Sequence, residues 1–340
     1  MINGHGDDLH LYPNVQSNFS SNIYAGFSHE GLFAHLQASM PLITSYPEPS
    51  PLSLERHIAQ LYGLEEPNVM VTNGATEAIY LLAQAWQGCQ SSILTPTFSE
   101  YADACRMHGH EVTLIPHLSS LPLHPSPLTA HLAWLCVPNN PTGHVVPKQE
   151  LLHSISAHPD TLYVIDASYA AYTQQPVLSP AEAVAHANVL MLCSMTKDYG
   201  VPGLRLGYLV GSDRLLGKVR TLRMPWSVNA LAIQAGHYLL SHQAHYRIPL
   251  AMLLAERQRV EHHLQAMGIT TQPSHSHMLL CRLPHGQAIQ LKQYLAHEHG
   301  ILIRDASNFE SLTAQHFRIA VQTEAQNTQL LNAIDLWMQS

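Results

Sequence analysis

Seven short apolar runs, each followed by polar or glycine-containing residues, constrain this chain more than any other feature. They are Val69–Thr72, Ser92–Leu94, Val112–Ile115, Leu132–Val137, Leu162–Ile165, Val189–Cys193 and Leu206–Val210. Apolar residues that run on without alternation suit strands buried on both faces, as in a mostly parallel sheet covered by helices. The intervening segments carry helical spacing; Ser53–Tyr62, for example, has it and stops at Gly63. The pattern predicts an α/β layer over about residues 50–230, with a seven-stranded, mostly parallel sheet between helices. Longer helical stretches follow, with strands only around Met278–Arg282, Ile301–Ile303 and Phe317–Val321, which predicts a smaller α+β domain. The first 50 residues read as irregular. They end in Tyr46-Pro47-Glu48-Pro49-Ser50-Pro51, which suits neither a regular helix nor a central strand. The expected division is an N-terminal arm at 1–45 packing with the small domain and the domain interface, a large α/β domain at 46–230 and a small C-terminal domain at 231–340.

A chain of 340 residues suits two domains and can bury a sizeable core. Its net charge of −8 argues against a nucleic-acid footprint, which needs a clustered basic face. An acidic chain can still bind an anionic substrate where a few arginines converge. No apolar run reaches the ~18 residues of a spanning helix, and the first residues lack a basic region followed by an apolar stretch. A cytoplasmic protein with no membrane partner is therefore expected. The five cysteines are scattered, several within apolar runs, and read as reduced thiols. The 25 histidines lie all along the chain. Their one tight group, His275-Ser276-His277, has no carboxylate or thiolate in helical register, so solvated or hydrogen-bonded histidines and no metal are expected.

Ligands of open α/β sheets bind at the carboxyl ends of the strands, and four such ends carry candidate chemistry. Val69–Thr72 runs into Asn73-Gly74-Ala75-Thr76-Glu77, which opens an apolar helix. Glycine permits a tight turn, and N–H groups at a helix start attract an anion such as phosphate, although plain capping gives the same pattern. Leu132–Val137 ends in Pro138-Asn139-Asn140-Pro141-Thr142-Gly143, where a turn and a ligand-facing amide are both compatible. Leu162–Ile165 ends in Asp166-Ala167-Ser168-Tyr169. A carboxylate closing an apolar strand is costly unless it meets a positive or protonated group; Asp166 is either a structural cap or such a partner. Val189–Cys193 ends in Ser194-Met195-Thr196-Lys197, with Arg205 eight residues beyond the lysine. Desolvation and a cationic neighbour depress a lysine pKa, which suits imine formation. A lone loop lysine would be an ordinary surface residue; the ordered company makes Lys197 a candidate.

Taken in that order, the set resembles the class I/II pyridoxal-phosphate aminotransferase superfamily, of fold type I, over essentially the whole chain. The resemblance implies pyridoxal 5'-phosphate as cofactor, anchored by Lys197 as a Schiff base, with Asp166 facing the pyridinium nitrogen that makes the ring an electron sink. It implies hydrogen bonds from Asn140 and Tyr169 to the ring hydroxyl, and a phosphate cradle of Gly74, Ala75, Thr76, Ser194 and Arg205. Tyr101, in Pro96-Thr97-Phe98-Ser99-Glu100-Tyr101, corresponds to the aromatic stacked on the ring. Arg318, in Phe317-Arg318-Ile319-Ala320-Val321, corresponds to the arginine that grips the substrate α-carboxylate, a task suited to a bidentate fork. Tyr46 corresponds to the tyrosine that crosses to the neighbouring subunit's phosphate, so a homodimer with shared active sites is implied.

Two branches of that superfamily share a second arginine, here Arg304 in Gly300-Ile301-Leu302-Ile303-Arg304, which faces a substrate phosphate. They are the histidinol-phosphate aminotransferases and the threonine-phosphate decarboxylases of cobalamin biosynthesis, so a phosphoamino acid or phosphoamino alcohol substrate is implied. Arg223–Leu231, Asn18–Ile23, His5-Gly6 and Asp305–Phe309 look more like the decarboxylases. The aminotransferases more usually have Pro-Tyr-Asn-Val-Asn where this chain has Pro225-Trp226-Ser227-Val228-Asn229. The decarboxylase resemblance implies conversion of L-threonine O-3-phosphate to (R)-1-amino-2-propanol O-phosphate. There Asn140 and the N-terminal His5, Ser20 and Asn22 join Arg304 and Arg318 around the substrate. The alternative is transamination of a substrate such as L-histidinol phosphate with 2-oxoglutarate. One departure stands out: the decarboxylases usually show His-Gly-Gly near their start, and the third residue here is Asp7.

Overall fold

In this computed structural model, which describes residues 7–116 and 130–339, the expected layer is present. After a two-residue strand β1 (Ser17–Asn18), seven strands form one sheet: β2 (Val69–Thr72), β3 (Gln90–Thr95), β4 (Glu111–Pro116), β5 (Leu132–Cys136), β6 (Leu162–Asp166), β7 (Val189–Ser194) and β8 (Gly207–Gly211). Their order is β2-β8-β7-β6-β5-β3-β4. Only β8 runs against its neighbours, so the sheet is mostly parallel. Every residue of the central strands β5, β6 and β7 is buried. That accounts for their unbroken apolar runs, since helices cover both faces. β4, at the edge, alternates towards solvent instead.

A second sheet is antiparallel, built from β9 (Thr270–Thr271), β10 (Met278–Arg282), β12 (Arg304–Asp305) and β13 (His316–Ala320) in the order β12-β13-β10-β9. Between them, β11 (Ile301–Leu302) pairs in parallel with β1. The Ala320 N–H donates to the Phe19 carbonyl at 2.9 Å, so the N-terminal segment is tied by backbone bonds to this second unit.

Two expectations need correction. The first 50 residues are not uniformly irregular, because Glu30–Ser39 forms a helix, α1, continued by a short turn of tighter helix at Met40–Thr44. Only Leu32 of α1 is buried and its start has no side-chain cap, so the local signal is weak. Packing against the helix Ala230–Ser241 holds it in place. The next helix, α2 (Leu52–Tyr62), ends as expected at Gly63 with φ +64°. Helix Ala230–Ser241 packs on both α1 and α2, and its Ala232, Ile233 and Leu239 share a core with β2 and β8. The second correction concerns His277, expected to be solvated or hydrogen-bonded. It is fully buried rather than solvated, and the ring stacks on Tyr172 at 3.9 Å. Burial pushes its pKa down to about 3, so the ring is neutral. Among the described residues no helix is long and apolar enough to cross a membrane, and no group of three or more His, Cys, Asp or Glu is placed to hold a metal ion.

Parallel register lines up the strand ends that matter: Cys136 on β5 stands opposite Asp166 on β6, and Asp166 opposite Leu192 on β7. Helix α3 (Gly74–Ala85) leaves the end of β2 at once, with Gly74 at φ +76°. β8 passes so close to this helix start that a Cβ on Gly207 would lie 2.7 Å from the Ala75 nitrogen and 2.9 Å from the Gly74 carbonyl carbon. Backbone cannot yield as a side chain would, and overpacking of this kind costs about 1–3 kcal/mol. Gly207→Ala should therefore lower the midpoint of denaturant unfolding and displace the start of α3. An unchanged midpoint would contradict this packing.

Candidate active site

The ends of β5, β6 and β7 and the start of α3 form one wall of a cavity of about 240 Å³, and the second sheet with the N-terminal segment forms the other. Lys197 and Asp166 face it from the large sheet, Arg318 and Arg304 from the small one. Ser194 ends β7, and a five-residue helix, Met195–Tyr199, turns Lys197 inward. The Lys197 Nζ donates to the Ser21 carbonyl at 2.8 Å. The Tyr172 hydroxyl donates to the Lys197 carbonyl at 2.8 Å, which fixes the backbone of this turn.

Charge is unevenly balanced in this space. Burial lowers the Lys197 ammonium to about 8; Arg318 and Arg205 push the same way, while Asp7 and Asp166 oppose them. Burial likewise brings the Arg318 guanidinium down to about 9 and lowers that of Arg304. Asp166 is raised by burial, partly offset by hydrogen bonds from Ser168 and Tyr101 and by the charge of Lys197. Its Oδ1 accepts from the Ser168 N–H at 2.8 Å and its Oδ2 from the Tyr101 hydroxyl at 2.5 Å. A desolvated carboxylate held this way still gains from a further positive partner.

The amide of Asn140 links both walls. Its Oδ1 accepts from Arg318 Nη1 at 2.5 Å and from Asn22 Nδ2 at 3.4 Å. Asn22 Nδ2 also donates to the Tyr169 hydroxyl at 3.1 Å, and Arg318 Nη2 donates to the Ser20 carbonyl. Arg304 donates to Asn308 Oδ1 at 2.7 Å with its guanidinium over Phe309.

Most of the residues picked from the sequence meet here: Ser20, Asn22, Ala75, Thr76, Tyr101, Asn140, Asp166, Tyr169, Ser194, Lys197, Arg205, Arg304 and Arg318 all line the cavity. Gly74 sits behind it, starting α3. Tyr46 is not brought in: it is 85% exposed, and its ring lies beside Trp226. His5 lies outside the described residues. Tyr101 is fully buried, and its ring stacks on Trp134 while its hydroxyl holds Asp166. Two further aromatic rings line the cavity, Phe309 under Arg304 and Phe98 edge-on to Tyr101. Sequence reasoning missed Phe98, as it missed Ser21, whose contribution is a backbone carbonyl that residue type cannot reveal. It also passed over Asn308 as a site residue, although the stretch Asp305–Phe309 had drawn notice.

The model of the aminotransferase class I and II family matches residues 14–334. The chain belongs to that family. Threonine-phosphate decarboxylase of Salmonella typhimurium is 30% identical over 96% of this chain and 92% of its own length. Histidinol-phosphate aminotransferase of Symbiobacterium thermophilum is 29% identical over 88% and 84%. Among solved structures, L-threonine-O-3-phosphate decarboxylase of Porphyromonas gingivalis superposes with a TM-score of 0.91 at 36% identity, covering 95% of this chain and 100% of that one.

The cofactor of this class I and II aminotransferase family member is pyridoxal 5'-phosphate, and the cavity fits it. The start of α3 carries no side-chain cap, leaving first-turn N–H groups for an anion. A Cβ on Gly74 would lie 2.5 Å from Arg205 Nη2, so the arginine tip stands directly beside that helix start, and the φ of +76° favours glycine there. Asn22 Oδ1 and Arg318 Nε are buried without a partner among the described residues, as polar atoms awaiting a ligand would be.

Because the Lys197 ammonium is disfavoured, the free amine dominates above about pH 8. In protein stripped of cofactor, uptake of pyridoxal phosphate should accelerate as pH rises through that value, followed by visible absorption. In Arg318→Gln the midpoint should move up, since a cation opposing the ammonium is gone. A midpoint that stays put would mean Arg318 has no part in setting it.

Proposed function

We propose that this enzyme decarboxylates L-threonine O-3-phosphate, giving (R)-1-amino-2-propanol O-phosphate. The observation that carries the reading is the pair of buried arginines, Arg318 and Arg304, on one wall of the cavity that holds Lys197. L-threonine O-3-phosphate brings two anionic groups, a carboxylate and a phosphate, and so occupies both guanidinium groups at once. L-histidinol phosphate brings only one, and in the aminotransferase reading the second anion comes from the separate co-substrate 2-oxoglutarate. The decarboxylases among the relatives support the same choice. The aminotransferase reading, with L-histidinol phosphate and 2-oxoglutarate, rests on relatives such as that of Symbiobacterium thermophilum.

In this reading the cofactor would be held by Lys197, by Asp166 at its ring nitrogen, by Asn140 and Tyr169 at its hydroxyl, and by Gly74, Ala75, Thr76, Ser194 and Arg205 at its phosphate. Tyr101 steadies Asp166. When bound, pyridoxal phosphate supplies an electron sink for the bond broken at the substrate α-carbon. Arg318 grips the carboxylate, braced by Asn140 and by the Ser20 carbonyl, and Arg304 takes the phosphate. Ser20 and Asn22 close the cavity against water. The Lys197 amine, with its lowered proton affinity, exchanges a proton at the α-carbon. That proton replaces CO2 in the decarboxylation, and its removal would start a transamination.

We also propose a homodimer in which Tyr46 reaches the partner's phosphate cradle, since its ring is exposed and lies outside the cavity lining of its own chain. The arm, large and small units keep their proposed places.

Purified protein incubated with L-threonine O-3-phosphate should release CO2, and with L-histidinol phosphate and 2-oxoglutarate it should form no glutamate. Glutamate without CO2 would overturn the decarboxylase reading. Lys197→Ala should lose the visible band of the bound cofactor, and Arg304→Ala, losing a charged contact worth about 2–3 kcal/mol, should lower kcat/KM roughly 30- to 150-fold. Sedimentation should give the mass of two chains.

A further inference from the structure

Asp7 follows His5-Gly6 at the start of the N-terminal segment. Its backbone has φ +65°, a left-handed conformation that glycine adopts freely and a side chain resists. The chain nonetheless keeps a carboxylate there, at the mouth of the cavity that also contains Arg318, Arg304 and Lys197. That carboxylate is held in place: Oδ1 accepts from Asn18 Nδ2 at 2.5 Å, and the Asp7 N–H donates to Ser20 Oγ at 3.1 Å. Asn18 Oδ1 in turn accepts from the N–H groups of Ser20 and Ser21, at 2.9 and 3.2 Å. Ser20 and Ser21 are the residues whose carbonyls receive Arg318 and Lys197. Asp7 is therefore built into the loop that closes the site. Its neighbour differs, since the Asp8 carboxylate is taken up by Lys292 at 2.5 Å.

The charge of Asp7 reaches the site's cations, since it favours the protonated forms of both Lys197 and Arg318. An anion reaching Arg318 meets the same negative field, whereas the carboxylates that act on Arg304 are Asp305 and Asp8. We propose that Asp7 is a specificity-determining residue of this anion pocket, grading ligands by charge and limiting how tightly a phosphate dianion is held. The inference rests on the reading of Arg318 and Arg304 as the substrate's anion sites.

Phosphate binding tests this without turnover. Calorimetric titration of holoenzyme, whose cofactor phosphate site is filled, uses inorganic phosphate above its second ionisation and methanesulfonate, a tetrahedral monoanion. Asp7→Asn keeps the shape and the acceptor for Asn18 but removes the charge. It should tighten phosphate about tenfold and methanesulfonate about threefold, the scale expected of one unit charge near a protein surface, and added salt should shrink both gains. Asp7→Gly, which relaxes the backbone, should shift phosphate in the same direction and serves if the asparagine variant folds poorly. Unchanged or weaker phosphate binding in both variants, or no binding by any form, overturns the proposal. Equal tightening of both anions also overturns it, since charge grading would be absent. Tighter phosphate binding in a protein that releases no CO2 would retain the role of Asp7 and reject the decarboxylase reading.

Discussion

The parallel pairing of β5, β6 and β7 is the constraint on which the rest of the structure depends. It places Cys136, Asp166 and Leu192 side by side and so brings the polar residues that follow each strand to one edge of the sheet. Parallel strands need crossover helices, and these bury both faces of the central strands. A carboxylate ending such a strand is desolvated by its position alone, which explains why Asp166 is raised despite two hydrogen bonds. Lys197, one short helix beyond β7, meets the same dry surroundings, and its ammonium is lowered for the same reason.

What the large sheet begins, the small unit and the N-terminal segment complete. Arg318 and Arg304 come from neighbouring antiparallel strands, paired residue to residue across β13 and β12. Two guanidinium groups so close repel, and burial disfavours both charges. Asn140, the Ser20 carbonyl and Asn308 share the burden of solvating them. β1 joins the N-terminal segment to β11 just before Arg304, so the loop that offers carbonyls to Lys197 and Arg318 is anchored to the same small unit. The site is closed by backbone atoms of this loop as much as by side chains.

Several parts of this were legible in the residues themselves. The seven strands stand where apolar runs predicted them, and burial on both faces leaves that mark in all but the edge strand β4. Lys197, Asp166, Asn140 and Arg205 were legible through their order along the chain, each after a strand end. Helix α1 was not, since one buried leucine makes no periodic pattern and only packing on Ala230–Ser241 holds it. His277 was misread for a related reason: nothing in its sequence neighbours announces that Tyr172 covers its ring.

Sequence by itself determined the family, the cofactor chemistry and the identity of most groups around the cavity. Side-chain chemistry and its spacing from strand ends are local properties, readable one segment at a time. Tertiary structure decided which of those groups share one desolvated space, how far burial and neighbouring charge shift Lys197 and Arg318, and what Asp7 faces. Those depend on residues far apart in the chain, Ser21 with Lys197 and Asn140 with Arg318, whose proximity arises only when the sheets and the N-terminal segment close on one another.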